Sequence, residues 1–503
     1  MRKMNIWFTS DTHGYVFDTD FNSREPRDTG LLGFQFPKDE NTLVIDGGDT
    51  IQGSPLTYWC HSTGQPLPIA EVMNSLGYDY VTLGNHDFND GQDVLARYLN
   101  ALHARCLCAN VSDAEGRLRI APWAVHTLGN GLRVGLVGLV TDWVNLWEKP
   151  EHLTGLTVSD PLPAAQAAVE ALQREGVDVL VGIYHGGIER DTETGRLLSN
   201  TDENIACRLC EALPFDLLLT GHQHTAMVDK HWHGTYLVQA PQNATSAVQV
   251  ELDDAGVFHS KLVPARRGGA MTRAQAMLRE RLEKWLDAPV GHFSRSIWPD
   301  EKLKMAMEGS AIADFFNTVQ LWASGADISC TALPNELRGF DENVSVRDVV
   351  ASYVYSNTLV VLEVTGSVLK QALEQCASYF DVDEDGHVSV AKAFLEPKEA
   401  HFNYDYFSGI EYTFDLSRPV GQRVTQLTRK GRAIGEDDKL TLIMNNYRAT
   451  GAGDFDMYLG CPRVREIQTE ISELIIDYII KKKYIEIPDT HPIRVVGIDG
   501  GKQ

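Results

Sequence analysis

The pattern of apolar and polar positions predicts alternating strands and helices in the first half of the chain. From residue 1 to about 265, short apolar runs alternate with stretches of helical periodicity and with polar loops, which is typical of α/β layering. The predicted strands read NIWFTS, TLVIDGGD, YDYVTLGN, LRVGLVGLV, VDVLVGIYH, FDLLLTGH and GTYLVQAP. Helices are predicted between them at residues 66–76, 91–103, 161–175 and 201–213.

A charged amphipathic pattern at residues 272–287 marks a change of organisation. It is preceded by RRGG and followed by APVG, and such glycine and proline punctuation is typical of a domain linker. We therefore expect a first domain at residues 1–265, a linker helix within 266–290 and a second domain at 291–503.

The second domain has a different pattern, which predicts an α+β fold. Its predicted helices lie at residues 309–323, 366–379 and 464–482. Its predicted strands lie at residues 327–331 and 358–365 and in the segments GIEYTFDL and KLTLIMNNY.

Composition limits the classes of function. The 503 residues carry a formal net charge of -24, which repels phosphate backbones and anionic lipids, so neither nucleic-acid nor membrane partners are expected. No stretch approaches the roughly 20 apolar residues of a membrane span, and no secretory signal begins the sequence, so we expect a cytoplasmic protein. Cys207 and Cys210 form a CxxC that we interpret as the buried side of a helix, not as a redox or zinc pair. The oligomeric state stays open.

Residues with metal-ligand chemistry are concentrated where the predicted strands end. They are, in chain order, Asp11, His13, Asp46, Asp49, Asn85, His86, His185, His222 and His224. Ligands at successive strand ends converge on one edge of an α/β sheet. A single Asp there is usually a helix cap and a single His usually a core or surface residue, but so many together are improbable as separate caps. A mixed oxygen and imidazole set of this size suits two divalent ions, such as Mn, Zn or Fe.

The blocks DTHG, GGD, GNHDF, HGG and GHQHT, in this order and spacing, resemble the signature of the calcineurin-like metallophosphatases. The flanking text DGGDTIQGSPLT is similar to that of the 5'-nucleotidase and 2',3'-cyclic-nucleotide 2'-phosphodiesterase family. This resemblance covers nearly the whole chain. It implies a four-layer α-β-β-α sandwich for the first domain and a substrate-binding C-terminal domain of the 5'-nucleotidase type.

The resemblance also implies which residues hold each metal. One site would comprise Asp11, His13, Asp49 and His224, and the other Asp49, Asn85, His185 and His222, with Asp49 bridging the two. Two ions roughly 3.5 to 4 Å apart can clamp an in-line displacement at phosphorus and lower the pKa of bound water.

His86 is not needed as a ligand in that set. In the family the matching histidine stabilises the transition state or protonates the leaving oxygen, and an acid three residues further on orients it. Here Asn89 occupies that position, as in the cyclic-phosphodiesterase branch. Asp87 or Asp90 could supply a negative charge only if the turn places one of these carboxylates beside the ring of His86. We predict His86 as the catalytic imidazole, with Asn89 or Asp90 as its partner and Gly84 providing a tight turn.

The segments VYSNTLVVLEVTG, FNYDYFSGIEYTFDLSRP and NNYRATGAGDF resemble the family's C-terminal domain. By motif position, Tyr404 and Tyr447 would sandwich the nucleobase, since stacking is worth roughly 1 to 3 kcal/mol per base. Without those segments, tyrosines in apolar β-rich text are more often core residues. The arginine block that grips phosphate in 5'-nucleotidases is replaced by DISCTALPNELRGF. Further substrate contacts are predicted at Arg338, Arg448, Asn445 and Asp454.

The leading hypothesis is a two-metal phosphoesterase that opens 2',3'-cyclic nucleotides and removes the resulting 3'-phosphate. The alternatives within enzymes are a 5'-nucleotidase and a pyrophosphatase of nucleotide sugars or dinucleotides. The alternative from another class is a nucleotide-binding protein without turnover, against which the intact metal blocks and His86 argue.

Overall fold

The computed structural model describes residues 3–198, 202–355, 357–396, 399–488 and 491–497. The chain forms two compact units. Unit 1 comprises the chain up to Asp20 and Arg24–Glu283, and unit 2 comprises Phe21–Ser23 and the chain from Lys284 onward. The division falls inside the segment where we expect the linker helix.

Unit 1 contains two large sheets and the helices that connect their strands. Its strands are β1 (Met4–Thr9), β2 (Thr42–Asp46), β3 (Tyr80–Val81), β4 (Arg105–Leu107), β5 (Val111–Asp113), β6 (Ile120–Ala121), β7 (Trp123–Thr127), β8 (Arg133–Val140), β9 (Leu156–Val158), β10 (Val179–His185), β11 (Leu217–Thr220), β12 (Met227–Trp232), β13 (Thr235–Gln239), β14 (Ser246–Leu252) and β15 (Phe258–Pro264). Its α-helices are α1 (Pro55–Thr63), α2 (Ile69–Leu76), α3 (Gln92–Ala101), α4 (Val144–Trp147), α5 (Pro161–Glu175) and α6 (Ala206–Ala212), and α7 (Arg273–Asp287) crosses the division between the units. Short 3-10 helices lie at Leu31–Gly33, Asn85–Phe88 and Pro150–Leu153.

The first sheet has the strand order β15-β14-β1-β2-β3-β4-β6, and the second has the order β12-β13-β11-β10-β8-β7. Strands β1 to β4 are parallel to one another, as are β8, β10, β11 and β13. Parallel neighbours need crossover connections, and the helices in these connections cover the outer faces of the sheets.

One apolar core lies between the two sheets of unit 1. Ile6 and Phe8 of β1 and Ile45 of β2 belong to the same buried cluster as Val181 and Ile183 of β10. A second cluster packs α5 and α6 against the other face of the second sheet, through side chains such as Ala165, Val169, Leu209, Leu180 and Leu218. The predicted α/β sandwich is therefore confirmed.

The CxxC cysteines lie in the helix that covers the second sheet. Cys207 and Cys210 are buried free thiols in α6. Burial raises the pKa of each thiol to about 12, so neither is a reactive thiolate near neutral pH.

Unit 2 mixes helices with smaller, mostly antiparallel sheets, as predicted. Its strands are β16 (Pro289–Phe293), β17 (Ile328–Ala332), β18 (Asn343–Ser345), β19 (Leu359–Thr365), β20 (Phe380–Val382), β21 (Val388–Val390), β22 (Asp405–Ser408), β23 (Glu411–Asp415), β24 (Val424–Arg429), β25 (Arg432–Ala433), β26 (Lys439–Asn445), β27 (Arg463–Ile467), β28 (Tyr484–Ile485) and β29 (Ile493–Val496). Its α-helices are α8 (Lys302–Glu308), α9 (Ala311–Ser324), α10 (Val346–Ser352), α11 (Gly366–Ala377), α12 (Asn446–Ala449) and α13 (Ile471–Lys482), and short 3-10 helices lie at Lys392–Phe394, His401–Asn403 and Asp456–Tyr458.

The predicted helix at residues 464–482 is wrong in its first third. Arg463–Ile467 forms strand β27, which pairs with β19 in the order β22-β17-β26-β19-β27, and helix α13 begins only at Ile471. The pairing places Ile467 opposite Leu359, so a distant strand overrides the local helical periodicity.

Candidate active site

The ends of five strands bring the predicted ligands together in unit 1. Residues 11 and 13 follow β1, residue 49 follows β2 and residue 85 follows β3. In the second sheet, residue 185 ends β10, and residues 222 and 224 follow β11. Parallel registers align these ends, since Thr9 pairs with Asp46 and Tyr184 pairs with Thr220.

Six of the predicted ligands form two groups that could each hold a metal ion. Asp11, His13 and His224 form the first group, and Asp49, His185 and His222 form the second, with the ligand atoms of each group within 4.8 Å of one another. In the first, the Nε2 atoms of His13 and His224 lie 3.0 Å apart. In the second, His185 Nε2 lies 3.1 Å from Asp49 Oδ2. Asp11 Oδ1, 4.0 Å from His185 Nε2, links the two groups.

The backbone at these ligands is left-handed. Asp11, His13, Asp49, His222 and His224 all have positive φ, between 47° and 72°. Residues other than glycine rarely adopt this conformation, which costs about 1 to 3 kcal/mol each and is concentrated at functional sites. The strand-end turns are therefore shaped by ligand placement and not by local propensity.

Glycines let the ligand turns approach each other. A Cβ on Gly84 would lie 2.1 Å from Asp49 Oδ1, and a Cβ on Gly221 would lie 2.2 Å from Ser10 Oγ. The φ of Gly84 is -101°, so the predicted tight turn is not what requires glycine there. Gly84 is needed because the Asp49 carboxylate occupies the space of a side chain.

Hydrogen bonds hold both carboxylates in place. Ser10 Oγ donates to Asp11 Oδ2 at 2.6 Å, and the backbone N–H of His222 donates to both oxygens of Asp11 at 3.0 Å. The N–H of His86 donates to Asp49 Oδ1 at 2.7 Å, which leaves Asp49 Oδ2 facing His185.

The donor set fits metal ions. Within the part of the chain that the structure describes, neither amide atom of buried Asn85 has a hydrogen-bond partner. Buried polar groups without partners are rare in proteins, so an unsatisfied amide among carboxylates and imidazoles fits a role as a metal ligand. Burial lowers the pKa of His185, but the charge and hydrogen bond of Asp49, the charge of Asp11 and the hydrogen bond to the Gly47 backbone together raise it, to about 10 in the metal-free protein. A cation at this position would replace that proton.

His86 lies beside the first group and is held by an amide. Its ring is edge-on to that of His13, with 5.5 Å between centroids. The side-chain amide of Asn89 contacts His86 Nδ1 at 3.1 Å, which leaves Nε2 for a substrate. Burial lowers the pKa of His86 to about 3, so the imidazole is neutral near pH 7.

Neither nearby acid is the partner of His86. The prediction that Asp90 is the partner of His86 is wrong, because the carboxylate of Asp90 pairs with His61 Nδ1 at 2.6 Å. Asp87 instead accepts the backbone N–H groups of residues 49, 50, 51 and 84 at 2.9 to 3.1 Å. It therefore ties the turn after β2 to the turn after β3.

Two of the substrate residues predicted in unit 2 lie in its interior, which corrects the prediction that they contact a base and a phosphate. Tyr404 is 2% exposed, and its hydroxyl donates to the carbonyl of Ala306 at 2.8 Å. Arg448 is also 2% exposed, and its Nε lies 2.9 Å from Asp405 Oδ2. Neither residue offers a free face to a ligand here. Tyr404 is a core residue, as tyrosines in apolar β-rich sequence usually are.

The other predicted substrate residues lie at or near the surface of unit 2. Tyr447 is 49% exposed, and Asp454 is exposed with a φ of 67°. Asn445 Oδ1 accepts the N–H of residue 448 at 2.7 Å and so caps α12. Arg338 lies 3.7 Å from Asp348. Tyr447 lies in α12 beside the buried Arg448, whose guanidinium donates to the carbonyl of Ala452 in the loop that leads to Asp454.

Sequence reasoning missed the side chains that support His222. Glu203 Oε1 lies 2.9 Å from His222 Nε2, and the ring of Trp147 stacks on His222 with 5.5 Å between centroids. Neither residue lies at a strand end that the pattern singled out, and no local signal connects them to a histidine far along the chain.

Comparison with known proteins assigns both units. Residues 4–226 match the family described as calcineurin-like phosphoesterase, and residues 289–460 match the 5'-nucleotidase C-terminal domain. A two-sheet α/β unit with two adjacent groups of Asp and His ligands is the architecture of a metallophosphoesterase with a dinuclear site.

Individual relatives agree with this assignment over almost the whole chain. A Staphylococcus aureus structure described as a 5'-nucleotidase is 33% identical, with a TM-score of 0.73, over 98% of this chain and all of that one (100%). The trifunctional nucleotide phosphoesterase protein YfkN of Bacillus subtilis is 24% identical over 96% of this chain, which spans only 38% of that protein. The 2',3'-cyclic-nucleotide 2'-phosphodiesterase/3'-nucleotidase of Yersinia enterocolitica is 24% identical over 91% of this chain and 83% of its own. The chain belongs to the calcineurin-like phosphoesterases that carry a 5'-nucleotidase C-terminal domain, and it is a metal-dependent hydrolase of phosphoric esters.

Among the described residues, none of the helices combines the length and apolar character needed to cross a lipid bilayer.

Proposed function

We propose that this protein hydrolyses 2',3'-cyclic nucleotides at the 2'-oxygen and then removes the 3'-phosphate. The observation that carries this choice is the amide of Asn89 at His86 Nδ1, where the 5'-nucleotidase pattern has an acid. The names of the Yersinia, Haemophilus and Salmonella relatives, at 22 to 24% identity, support the same activity.

In this proposal the ligand groups hold two divalent ions, with Mn, Zn and Fe as candidates. Asp11, His13 and His224 would hold one ion, His185, His222 and Asn85 would hold the other, and Asp49 would contribute to both. Such a pair supplies Lewis-acid polarisation of the phosphoryl oxygens and a nucleophilic water of lowered pKa.

His86 is proposed as the group that acts on the reacting phosphate. When the amide nitrogen of Asn89 donates to Nδ1, the neutral ring carries its proton on Nε2 and can donate it to the phosphoryl or leaving oxygen. An amide orients the ring without adding the negative charge that would raise the pKa of the imidazole.

Tyr447 is proposed as a stacking surface for the base, because it is half exposed on helix α12 of unit 2. Stacking of one base is worth roughly 1 to 3 kcal/mol, so Tyr447→Ala should raise KM for nucleotides by about 5- to 150-fold. Hydrolysis of p-nitrophenyl phosphate, which has no base, should be nearly unaffected.

The test is phosphate release from 2',3'-cyclic AMP, 3'-AMP and 5'-AMP, with each candidate metal in turn. We expect kcat/KM to be highest for the cyclic and 3' substrates. His86→Asn should lower kcat by about 10²- to 10⁴-fold while metal content stays at the wild-type level. Asp90→Asn is the matched control, since Asp90 pairs with His61, and it should keep wild-type turnover. Loss of metal in His86→Asn would instead identify His86 as a ligand.

The second candidate is a 5'-nucleotidase. The similarity to the Staphylococcus aureus structure, at 33% identity over its full length (100%), favours it. Much faster hydrolysis of 5'-AMP than of 2',3'-cyclic AMP in the same assay would establish this candidate and reject the first.

A further inference from the structure

Three of the ligand histidines, His13, His185 and His222, can be compared by what contacts their second ring nitrogen. His13 Nδ1 lies 2.9 Å from the backbone oxygen of Gln52, and His185 Nδ1 lies 2.7 Å from that of Gly47. These two partners are neutral carbonyls. His222 Nε2 instead lies 2.9 Å from a carboxylate oxygen of Glu203. One ligand of the second group therefore has a charged partner.

The ring of His222 is fixed on several sides. Trp147 stacks on it with an angle of 25° between the planes, and His185 meets it edge-on with 5.6 Å between centroids. Because Glu203 occupies Nε2, the nitrogen left for a cation is Nδ1. The carboxylate thus selects which nitrogen faces Asp49 and His185.

Glu203 is itself anchored to unit 1. Its carbonyl oxygen accepts the hydroxyl of Thr141 at 2.9 Å and that of Tyr184 at 3.3 Å. Its side chain is 24% exposed, so it lies at the edge of the site and not in the packed core. A carboxylate in this position orients the ring of the imidazole that it contacts and fixes its tautomer.

We propose that Glu203 is a positioning residue that strengthens the second metal site specifically, through His222. This inference rests on the proposed two-metal function. It adds an asymmetry to that function: loss of the Glu203 charge should weaken the site of Asp49, His185 and His222 and leave the site of Asp11, His13 and His224 unchanged. Outer carboxylates of this kind typically change metal affinity about 10- to 100-fold.

The test is a titration of the metal-free protein with Mn²⁺. Calorimetry measures the affinity of each equivalent, and electron paramagnetic resonance detects coupled ions. We expect wild type to bind two equivalents tightly and to show the spectrum of coupled ions. Glu203→Gln keeps the size and an acceptor but not the charge, and it should bind one equivalent as before and the second about 10- to 100-fold more weakly. The coupled spectrum should then appear only at excess Mn²⁺. Glu203→Ala should weaken the same equivalent at least as much.

The matched control is Glu148→Gln, because a Glu148 carboxylate oxygen also lies 2.9 Å from an imidazole nitrogen, Nδ1 of His152, and His152 belongs to neither ligand group. It should bind both equivalents like wild type. Equal affinities in Glu203→Gln and wild type, or equal weakening of both sites, would overturn the role of Glu203. A wild-type protein that binds no pair of ions would instead overturn the proposed function, so the two failures are distinguishable.

Discussion

Removing the charge of Arg448 should destabilise unit 2, because this arginine is part of a buried ion pair. Arg448 and Asp405 are both 2% exposed, with Nε and Oδ2 2.9 Å apart. The guanidinium also donates to the carbonyls of Phe402 and Ala452 and lies over the ring of Phe455, 4.0 Å from its centroid. It therefore joins two segments of the chain, residues 402–405 and 452–455, around one charge.

The expected effect can be worked out from this geometry. Two unit charges at 2.9 Å attract by roughly 6 kcal/mol at an effective dielectric constant of about 20. Removing one partner leaves the other charge buried, which typically costs about 3 to 5 kcal/mol. For a unit of about 200 residues this lowers the unfolding midpoint by roughly 6 to 20 °C, at about 2 to 4 °C per kcal/mol. Both Arg448→Met and Asp405→Asn should show this decrease of the unfolding midpoint.

The double variant Arg448→Met with Asp405→Leu should be more stable than the sum of the single changes predicts, because it leaves no unpaired charge. Recovery should be incomplete, since two carbonyls lose their donor at about 1 to 3 kcal/mol for each buried group. Thermal unfolding and hydrogen exchange of the 402–458 peptides measure both effects. Arg338→Met is the control, since its side chain is 52% exposed, and it should leave the midpoint unchanged. A change in nucleotide KM with an unchanged midpoint in Arg448→Met would refute the structural role.

Three further predictions concern unit 1. Asn89→Ala should lower kcat about 2- to 10-fold at unchanged metal content, because His86 loses a hydrogen bond worth about 0.5 to 1.5 kcal/mol; steady-state kinetics measures this. Gly84→Ala should lower kcat by about 100-fold and reduce metal content, because its Cβ displaces a ligand carboxylate, whereas Gly64→Ala meets no atom within 4 Å and should keep both. Burial raises the pKa of Asp46 to about 7 from about 3.9 in the unfolded chain, so the folded metal-free protein holds an extra proton between these pH values. Its stability should fall as pH rises through that window, and Asp46→Asn should flatten the slope in chemical unfolding.

Much of the fold could be predicted because the first half of the chain repeats one local signal. Apolar runs between helical stretches identify β1, β2, β8, β10 and β11 without any tertiary information. The segment Arg463–Ile467 shows the limit of that signal, since its apolar spacing fits a helix and only the pairing with β19 makes it a strand. Helix α1 was also missed, although Ser54 caps it and Pro55 begins it.

The candidate ligands were predictable for a related reason, and their supports were not. Parallel strands bring their carboxyl ends to one edge, so the order of the chain already predicts that Asp11, Asp49 and His185 meet. No comparable rule predicts where the partners of His222 and Asp90 lie, because these partners are not at the carboxyl ends of parallel strands. His61, for example, belongs to the unpredicted helix α1, and its pairing takes Asp90 away from His86.

The ligand turns concentrate several energetically costly features at one edge of unit 1. Five ligands have a left-handed backbone, and within the described residues neither side-chain amide atom of buried Asn85 has a hydrogen-bond partner. Each of these features opposes folding of the metal-free chain, since strained backbone and unsatisfied polar atoms both cost free energy. Bound cations would satisfy the amide and the carboxylates at the same atoms that the strained turns present. We therefore expect metal binding to be coupled to formation of these turns. Asp87, which belongs to neither ligand group, would serve the site by tying the two turns together through four backbone N–H groups.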